Sequence, residues 1–182
     1  MIAKTTFGAH GPAVTRVGLG GEGVLRTFGL ENEAQAVISA ALDNGLDYFD
    51  TAPAYSGSES YLGAAWRNAP GARETIFHTS KSAQRTAESA REDLARTLKT
   101  LGTEYLDLWQ IHDVRTMDDV RAIEGPGGSL AAFAEARDKG AVRYIGVTGH
   151  HDPRVLTHCV QYWPLDCVLL PVNPLEAVLG GF

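Results

Sequence analysis

The most constraining feature of the sequence is an alternation of short apolar runs with longer segments of helical periodicity. Six runs are rich in β-branched or aromatic residues and have the length of strands: 13–20, 46–50, 75–80, 105–112, 142–148 and 167–172. Five segments between them have the pattern of helices: 31–45, 58–68, 86–102, 128–140 and 152–163. A strand followed by a helix, repeated about five and a half times, predicts parallel strands that are buried on both faces. We therefore expect an α/β fold, either a barrel or a doubly wound sheet.

The ends of the helical segments carry their own signals. Gly102 and Gly140 close two of the segments and are suited to the left-handed conformation that ends many helices. Ser58, Thr86 and Asp152 stand at the start of three others, where a side-chain oxygen can accept a hydrogen bond from a backbone N–H of the first turn. The stretch 112–128 is a long excursion after the fourth strand, and excursions of that length are often functional.

Length and composition place the chain among ordinary globular proteins. Its 182 residues are 44% hydrophobic, and we predict a single domain, 1–182, without a linker. The net charge of −6 includes no run of Lys or Arg, so neither nucleic acid nor an anionic membrane is expected as a partner. The two cysteines give no disulfide framework, no apolar stretch is long enough to span a membrane, and the first residues lack the apolar core of a signal peptide. We therefore expect a cytoplasmic protein.

The stretch "GLDYFDTAPAYSGSESYLG", residues 45–63, places a carboxylate at the tip of an apolar run and a tyrosine just beyond it. Buried Asp is rare unless it is paired, so Asp50 predicts a partner elsewhere in the chain. The third run continues into "HTSK" and ends at Lys81, and the fourth run ends at His112. The carboxyl ends of parallel barrel strands form one edge, where barrel enzymes build their active sites. We therefore predict that Asp50, Tyr55, Lys81 and His112 form one catalytic site.

These four residue types suit the donation of a proton to a carbonyl oxygen as it becomes an alkoxide. A phenol has an ordinary pKa of about 10, and a nearby ammonium group lowers that pKa because it favours the ionised form. Lys81 can act in this way on Tyr55 if Asp50 anchors it, while His112 orients a polar group of the substrate. The set contains no reductant, so a cofactor that carries a hydride is implied.

Two other motifs have competing interpretations. "GLGGEG" (18–23) satisfies the pattern G-x-G-x-x-G of dinucleotide-binding folds, but no helix opens directly after it. A glycine-rich loop that lets another group approach the backbone is the favoured interpretation. His150, His151 and His158 lack the spacing of a tight ligand set, so no metal site is expected.

Taken together, the motifs resemble those of the aldo-keto reductase family. "GLDYFDTAPAYSGSE" is similar to the family signature G-x-x-x-x-D-T-A-x-x-Y-G-x-S-E, and "HTSK" and "WQIH" resemble the lysine and histidine motifs of the family. The resemblance carries the family's Asp–Tyr–Lys–His tetrad onto the four residues above. It implies a TIM-type (β/α)8 barrel and the nicotinamide-dependent reduction of aldehydes or ketones, with NADPH as the expected cofactor and NADH as an alternative.

The resemblance also indicates residues that bind the cofactor. "GLGG" (18–21) is similar to the loop beside the nicotinamide, which implies contacts from Gly20 and Gly21 in addition to Asp50. Where relatives often read G-V-S-N, this chain reads "GVTG" (146–149), so Thr148 is the expected substitute, with Gly149 or His150 as alternatives. In "LLPVNP" (169–174) the asparagine and the second proline still match the family, and Asn173 is the remaining predicted contact.

The chain ends after its sixth strand-like run, so about six βα units are expected instead of eight. We expect the 182-residue chain alone to be an inactive, truncated barrel whose two open edges invite self-association or pairing with a completing segment. The expected substrate is a small carbonyl compound. Two alternatives to a working reductase stay open: a non-catalytic or regulatory subunit of the same family, and an aldolase-like barrel in which Lys81 forms a Schiff base.

Overall fold

A computed structural model of the chain describes residues 2–69 and 71–172. Asn173, a predicted cofactor contact, lies outside the described residues. The strands are β1 (Lys4–Thr6), β2 (Ala13–Thr15), β3 (Leu19–Gly20), β4 (Tyr48–Asp50), β5 (Phe77–Ser82), β6 (Leu106–Ile111), β7 (Val142–Thr148) and β8 (Cys167–Leu169). The helices are α1 (Glu31–Asp43), α2 (Ser58–Asn68), α3 (Ala87–Leu101), α4 (Met117–Glu124), α5 (Ser129–Asp138) and α6 (Pro153–Tyr162).

Strands β3 to β8 form one sheet of six strands in which all neighbours are parallel. Each strand pairs with the next one along the chain, so the strand order never reverses. A doubly wound sheet would contain such a reversal, and the sheet instead curls in one direction as a partial barrel. The predicted α/β fold, with about six units of a TIM-type barrel, is therefore confirmed.

The predicted strand 13–20 is wrong as a single element, because the chain divides it between two sheets. β2 pairs antiparallel with β1, whereas β3 pairs parallel with β4. Asp47, just before β4, holds the β1–β2 hairpin in place. Its carboxylate accepts a hydrogen bond of 2.6 Å from the backbone N–H of Thr15 and forms an ion pair of 2.6 Å with Lys4.

The hairpin covers the end of the barrel at which the strands begin. The ring of Phe7 lies 4.7 Å from that of Phe77, the first residue of β5, and 5.1 Å from that of Tyr144. Val14, Phe77 and Leu108 form a small apolar cluster inside the barrel. The polar site residues therefore face the opposite end, where the strands finish.

A larger apolar core fills the space between the outer face of the sheet and the helices. Trp109 and Ile111 on β6 are fully buried in it, and the ring of Trp109 stacks on that of Phe133 from α5. Alternate residues of the same strands face the barrel interior, because successive side chains of a strand point to opposite faces. The strands are thus buried on both sides, as their apolar runs predict.

The predicted helix ends are mostly confirmed. Thr86 caps α3 and Asp152 caps α6, and each side chain accepts a hydrogen bond from a backbone N–H of the first turn. Gly102 ends α3 in the left-handed conformation, with φ of 68°. Ser58 is not a cap: the cap of α2 is Gly57, and Ser58 is the first helical residue.

Two further findings concern single helices. The excursion 112–128 is not a loop throughout, because α4 lies within it and begins with a reciprocal capping box between Thr116 and Asp119. No helix in residues 2–69 and 71–172 is long and apolar enough to cross a lipid bilayer.

Candidate active site

Three neighbouring strands bring the predicted site residues to one edge of the barrel. β4 ends at Asp50, Lys81 is the last residue but one of β5, and His112 follows β6 directly. β5 extends two residues beyond the predicted run, so Lys81 lies within the strand. Its side chain points into the barrel, because Phe77, four residues earlier, faces the interior as well.

Lys81 is the partner of Asp50. The Lys81 Nζ lies 2.5 Å from the Asp50 Oδ2 and donates a second hydrogen bond, of 2.9 Å, to the backbone carbonyl of Thr51. The hydroxyl of Thr79 donates a hydrogen bond of 2.6 Å to the other carboxylate oxygen. Only 1% of the Lys81 surface is exposed, so this ion pair is fixed within the barrel wall and has little room to move.

The two aromatic residues lie above this pair. The Lys81 Nζ is 4.7 Å from the centre of the Tyr55 ring. The Tyr55 and His112 rings are 5.6 Å apart and nearly perpendicular, with an angle of 88° between their planes. Both rings line a cavity of about 380 Å³ that opens at the carboxyl end of the strands. The structure therefore brings all four predicted residues together.

The electrostatics of the site differ from the prediction at Tyr55. Burial raises the pKa of the Tyr55 phenol above its ordinary value, and the carboxylates of Asp50 and Glu22 raise it further. The predicted lowering of this pKa by Lys81 is therefore wrong, because burial and the carboxylates outweigh the lowering effect of a nearby positive charge, that of Arg26. Burial lowers the pKa of the Lys81 ammonium, against the opposing effect of Asp50. Burial and the charge of Lys81 lower the pKa of His112 to about 4.

The predicted cofactor residues lie in two places. A Cβ at Gly20 would contact nothing, and this residue lines a second cavity of about 410 Å³ that Asp50 also lines. The backbone N–H of Gly21 donates a hydrogen bond of 2.7 Å to the carbonyl of Asp50, and a Cβ there would overlap the hydroxyl of Ser58. Thr148 is 1% exposed and its hydroxyl accepts a hydrogen bond from the backbone N–H that follows His112.

Several polar residues of the site were not predicted. Gln110 pairs with Lys81 in the register of the sheet, and its amide donates to Asp50 at 3.3 Å. Its position two residues before His112 is the signal that could have indicated it, because alternate residues of a strand face the same side. Two ion pairs lie at the cavity mouth, Arg26 with Glu22 and Arg115 with Asp113. The short sequence separations are consistent with ion pairs, but they do not indicate that these pairs lie at the cavity.

The three histidines that could have suggested a metal lie apart. His151 is 3.5 Å from the carboxylate of Asp113, His158 is 3.0 Å from that of Glu124, and His150 lines the cavity mouth. Within residues 2–69 and 71–172, no group of three or more His, Cys, Asp or Glu side chains is arranged to hold a metal ion.

Comparisons with known proteins identify the family of the chain. The sequence model of the Aldo/keto reductase family matches residues 16–178. The chain is 33% identical over 187 aligned residues to the aldo-keto reductase YhdN of Bacillus subtilis, a match that covers 94% of this chain and 54% of the relative. It is 32% identical over 155 residues to an aldo-keto reductase of Mycobacterium avium, covering 80% of this chain and 51% of the relative.

Solved structures of aldo-keto reductases share the fold of this chain. An aldo-keto reductase of Bacillus halodurans, solved in its holo form, superposes with a TM-score of 0.80 at 22% identity, covering 94% of this chain and 58% of that one. The chain spans about half the length of the curated relatives that it matches. On the evidence of the family match and the partial barrel, the chain belongs to the aldo/keto reductase family.

Proposed function

We propose that this chain carries the catalytic residues of an NAD(P)H-dependent reductase that converts a small aldehyde or ketone to an alcohol. The observation that supports it most strongly is the stacked arrangement of the site. The buried Lys81–Asp50 pair lies beneath the ring of Tyr55, and His112 meets that ring edge-on at the same cavity. One phenol and one imidazole can thus reach the same carbonyl oxygen.

Each residue has a distinct part in the proposed reaction. Tyr55 is protonated at neutral pH, as a phenol with the ordinary pKa of about 10 already is, and it donates this proton to the oxygen as negative charge develops there. Lys81 places a positive charge 4.7 Å from the ring, which stabilises the phenolate that is left. His112 is neutral at that pH because its pKa is about 4, so one ring nitrogen can donate a hydrogen bond to the carbonyl and orient it.

The residues present fit a nicotinamide. A nicotinamide cofactor supplies the hydride when it is bound. Gly20 leaves open space beside Asp50, in a cavity that a larger side chain would fill. The related protein of Bacillus halodurans was solved in a holo form, which agrees with a bound cofactor in that protein. We propose that Gly20, Gly21, Asp50, Thr148 and Asn173 contribute to this site, with NADPH as the first cofactor to test and NADH as the second.

The geometry favours a reductase over a Schiff-base enzyme. A Schiff-base lysine needs a free amine that a substrate can reach. The amine of Lys81 is instead held by Asp50 and Thr51, and Lys81 is fully buried. Borohydride trapping with carbonyl compounds would label Lys81 in the Schiff-base case. A regulatory subunit is the second alternative, and it predicts cofactor binding without turnover.

Three wider properties belong to the same proposal. A cytoplasmic location is supported by the free cysteines Cys159 and Cys167, neither of which is bonded. Self-association is supported by the two edges, at β3 and β8, that the sheet leaves open within the part of the chain that the structure describes. A single domain is supported by the apolar core that runs along the helices from α1 to α6.

The test is the oxidation of NADPH and of NADH with a panel of aldehydes and ketones, in an extended or complemented form of the chain that binds the cofactor. We expect Tyr55→Phe to retain cofactor binding and to lose about 10²–10⁴-fold in turnover, because the positioned proton donor is removed. Tyr162→Phe is the control, since Tyr162 is exposed on α6, and its turnover should be unchanged. Turnover of Tyr55→Phe within about threefold of the unchanged protein would contradict the assignment of the acid. Binding without turnover in the unchanged protein would favour the regulatory alternative.

A further inference from the structure

Both aromatic residues of the site are followed by a residue in a strained backbone conformation. Ser56, after Tyr55, has φ of 47°, and Asp113, after His112, has φ of 53°. In the described parts of the chain, these two are the residues other than glycine with positive φ. Residues with a Cβ rarely adopt this conformation, and it persists only where the surroundings enforce it. Some contact must therefore hold each turn.

The two turns are held in different ways. Around Tyr55 the backbone holds itself: the N–H of Ser58 donates to the carbonyl of Tyr55, and the N–H of Gly57 donates to the carbonyl of Thr27. Around His112, in contrast, a side chain holds the turn. The guanidinium of Arg85, on the loop after β5, donates to the carbonyl of His112 at 3.1 Å and to that of Asp113 at 2.9 Å.

The third side of the same guanidinium is also occupied. Arg85 Nε donates a hydrogen bond of 3.1 Å to the carboxylate of Asp119, the residue that forms the capping box of α4. The guanidinium thus joins the turn after β6 to the start of α4. Its three contacts use the planar fork of nitrogen donors that only arginine has.

We propose that Arg85 is a positioning residue for His112: its guanidinium holds the strained turn at His112–Asp113 and thereby keeps the imidazole edge-on to Tyr55. The importance of this position rests on the proposed function of His112. Arg85 does not itself touch the cavity that Tyr55 and His112 line, so it acts through the backbone.

Other contacts define the turn without replacing Arg85. The backbone N–H of His112 donates to the carbonyl of Ser82, and that of Asp113 donates to the hydroxyl of Thr148 at 2.8 Å. These bonds satisfy the N–H groups of the turn, whereas Arg85 satisfies its two carbonyls. Without the guanidinium, the carbonyls lose their partners and the strained φ of Asp113 loses one side of its support. We expect the imidazole to leave its half-buried position beside Tyr55 as a result.

The experiment measures the environment and the titration of the His112 imidazole in the 182-residue chain, and it does not depend on turnover. The chain is labelled with ¹³C and ¹⁵N histidine, and the ring signals of its six histidines are followed against pH by NMR. The variants are Arg85→Met and Arg85→Lys. Arg91→Met is the control, because Arg91 is an exposed arginine of α3 whose partner, Glu135, lies outside the site. His78, fully buried in another part of the sheet, is an internal reference.

The groups that face His112 define the expected shift. They are Lys81 from β5, Asp50 from β4, Asp113 from the turn and Glu22 from the loop after β3. In Arg85→Met we expect the titration midpoint of His112 to rise from about 4 by about one pH unit or more, toward the ordinary value of histidine. The contact between the Tyr55 and His112 rings should weaken, while the signals of His78 stay unchanged. Arg85→Lys keeps the positive charge but not the planar fork of donors. Its His112 titration midpoint should lie between that of the unchanged chain and that of Arg85→Met.

An unchanged His112 signal in Arg85→Met overturns the proposal, and so does an equal change at His78, which would indicate general loosening. If Arg85→Met does not fold, Arg85→Lys decides: it must shift His112 and spare His78, and an unchanged His112 again overturns the proposal. A failure of the reductase assignment appears separately, as absent turnover with intact ring positions. The two failures are thus distinguishable.

Discussion

At the scale of single residues, His78 is a fully buried imidazole behind the site. Neither of its ring nitrogens has a hydrogen-bond partner among the described residues, and its ring lies edge-on to Trp66 at 5.5 Å. Burial, assisted by the positive charge of Arg73, lowers the pKa of His78 to about 3. The folded chain therefore keeps this side chain neutral at a pH at which the unfolded chain protonates it.

This difference predicts a loss of stability in acid. Below the ordinary histidine pKa of about 6.5 the unfolded state binds a proton that the folded state does not. The contribution of His78 to the free energy of unfolding should therefore fall by about 1.4 kcal/mol per pH unit between about 6.5 and about 3, and be constant above that range. His78→Phe should lose this slope in urea titrations at several pH values.

The control is His10→Gln, since His10 is exposed in the amino-terminal hairpin. Its acid slope should equal that of the unchanged chain. His112 contributes a slope of its own, because its pKa is also lowered, so the difference between His78→Phe and the unchanged chain is the measured quantity. If the free energy of unfolding of His78→Phe and that of the unchanged chain change in parallel with pH, the argument from burial is wrong.

The sequence predicted which residues lie together better than it predicted their electrostatics. Asp50, Lys81 and His112 are found because parallel strands deliver their last residues to one edge, a rule that needs only the pattern of strands. The pKa of Tyr55 was not predictable, because it depends on how deeply the ring is buried and on Glu22, which comes from another loop. Arg85 was not predicted either, because its hydrogen bonds are to backbone carbonyls that lie 27 and 28 residues away in the chain.

At the scale of elements, β3 and β4 meet through two glycines with opposite surroundings. Gly21 donates to the carbonyl of Asp50, and a Cβ there would lie 2.7 Å from that oxygen and overlap the hydroxyl of Ser58. Gly20 is its neighbour in the chain, yet a Cβ there would meet nothing within 4 Å. The close approach of the two strands therefore requires glycine at one position and not at the other.

This contrast gives a matched pair of variants. Gly21→Ala should lower the free energy of unfolding by about 1–3 kcal/mol, because the methyl group forces the backbone of β3 away from Asp50. Gly20→Ala adds the same methyl group to open space and should be within about 0.5 kcal/mol of the unchanged chain. Both are measured by urea unfolding. Equal losses in the two variants would indicate that backbone flexibility, and not the overlap with Ser58, limits this position.

The division of residues 13–20 shows where the local pattern fails. Valine and leucine continue across the stretch, and Gly18 interrupts it, but a single glycine does not indicate that the two halves join different sheets. The break arises from Asp47, which lies 32 residues from Thr15 and holds the hairpin by its backbone. The helices were predicted better because their caps are local, as Thr86 and Asp152 illustrate. The local hydrophobic pattern carries no information about contacts between segments that are distant in the sequence.

At the scale of the whole molecule, the exposed apolar residues concentrate at the two open edges. Near β3 they include Val17, and near β8 they include Val160 and Val168. Among residues 2–69 and 71–172, β8 pairs with β7 on one side only. An unpaired strand with apolar neighbours is a template for pairing with another chain. We therefore expect the purified chain to associate.

Lysine in the edge strand should reduce this association. Val168→Lys places a charge on β8, and we expect a lower sedimentation coefficient than that of the unchanged chain at the same concentration. Met117→Lys is the control: Met117 is equally exposed, at 37%, but lies on α4 away from both edges. Its sedimentation should match that of the unchanged chain. A monomeric unchanged chain, or an equal effect of the two lysines, would contradict the role of the β8 edge.

The sequential order of the strands also bears on how the protein forms as it leaves the ribosome. From β3 onward each strand pairs with the one synthesised just before it, so the sheet can grow by one strand at a time. The Lys81–Asp50 pair joins β4 to β5, and its two residues are separated by only 31 positions. The charged centre of the pocket can therefore form before the segment that carries His112 has emerged from the ribosome. Arg85 emerges between the two, ready to receive the turn that follows β6.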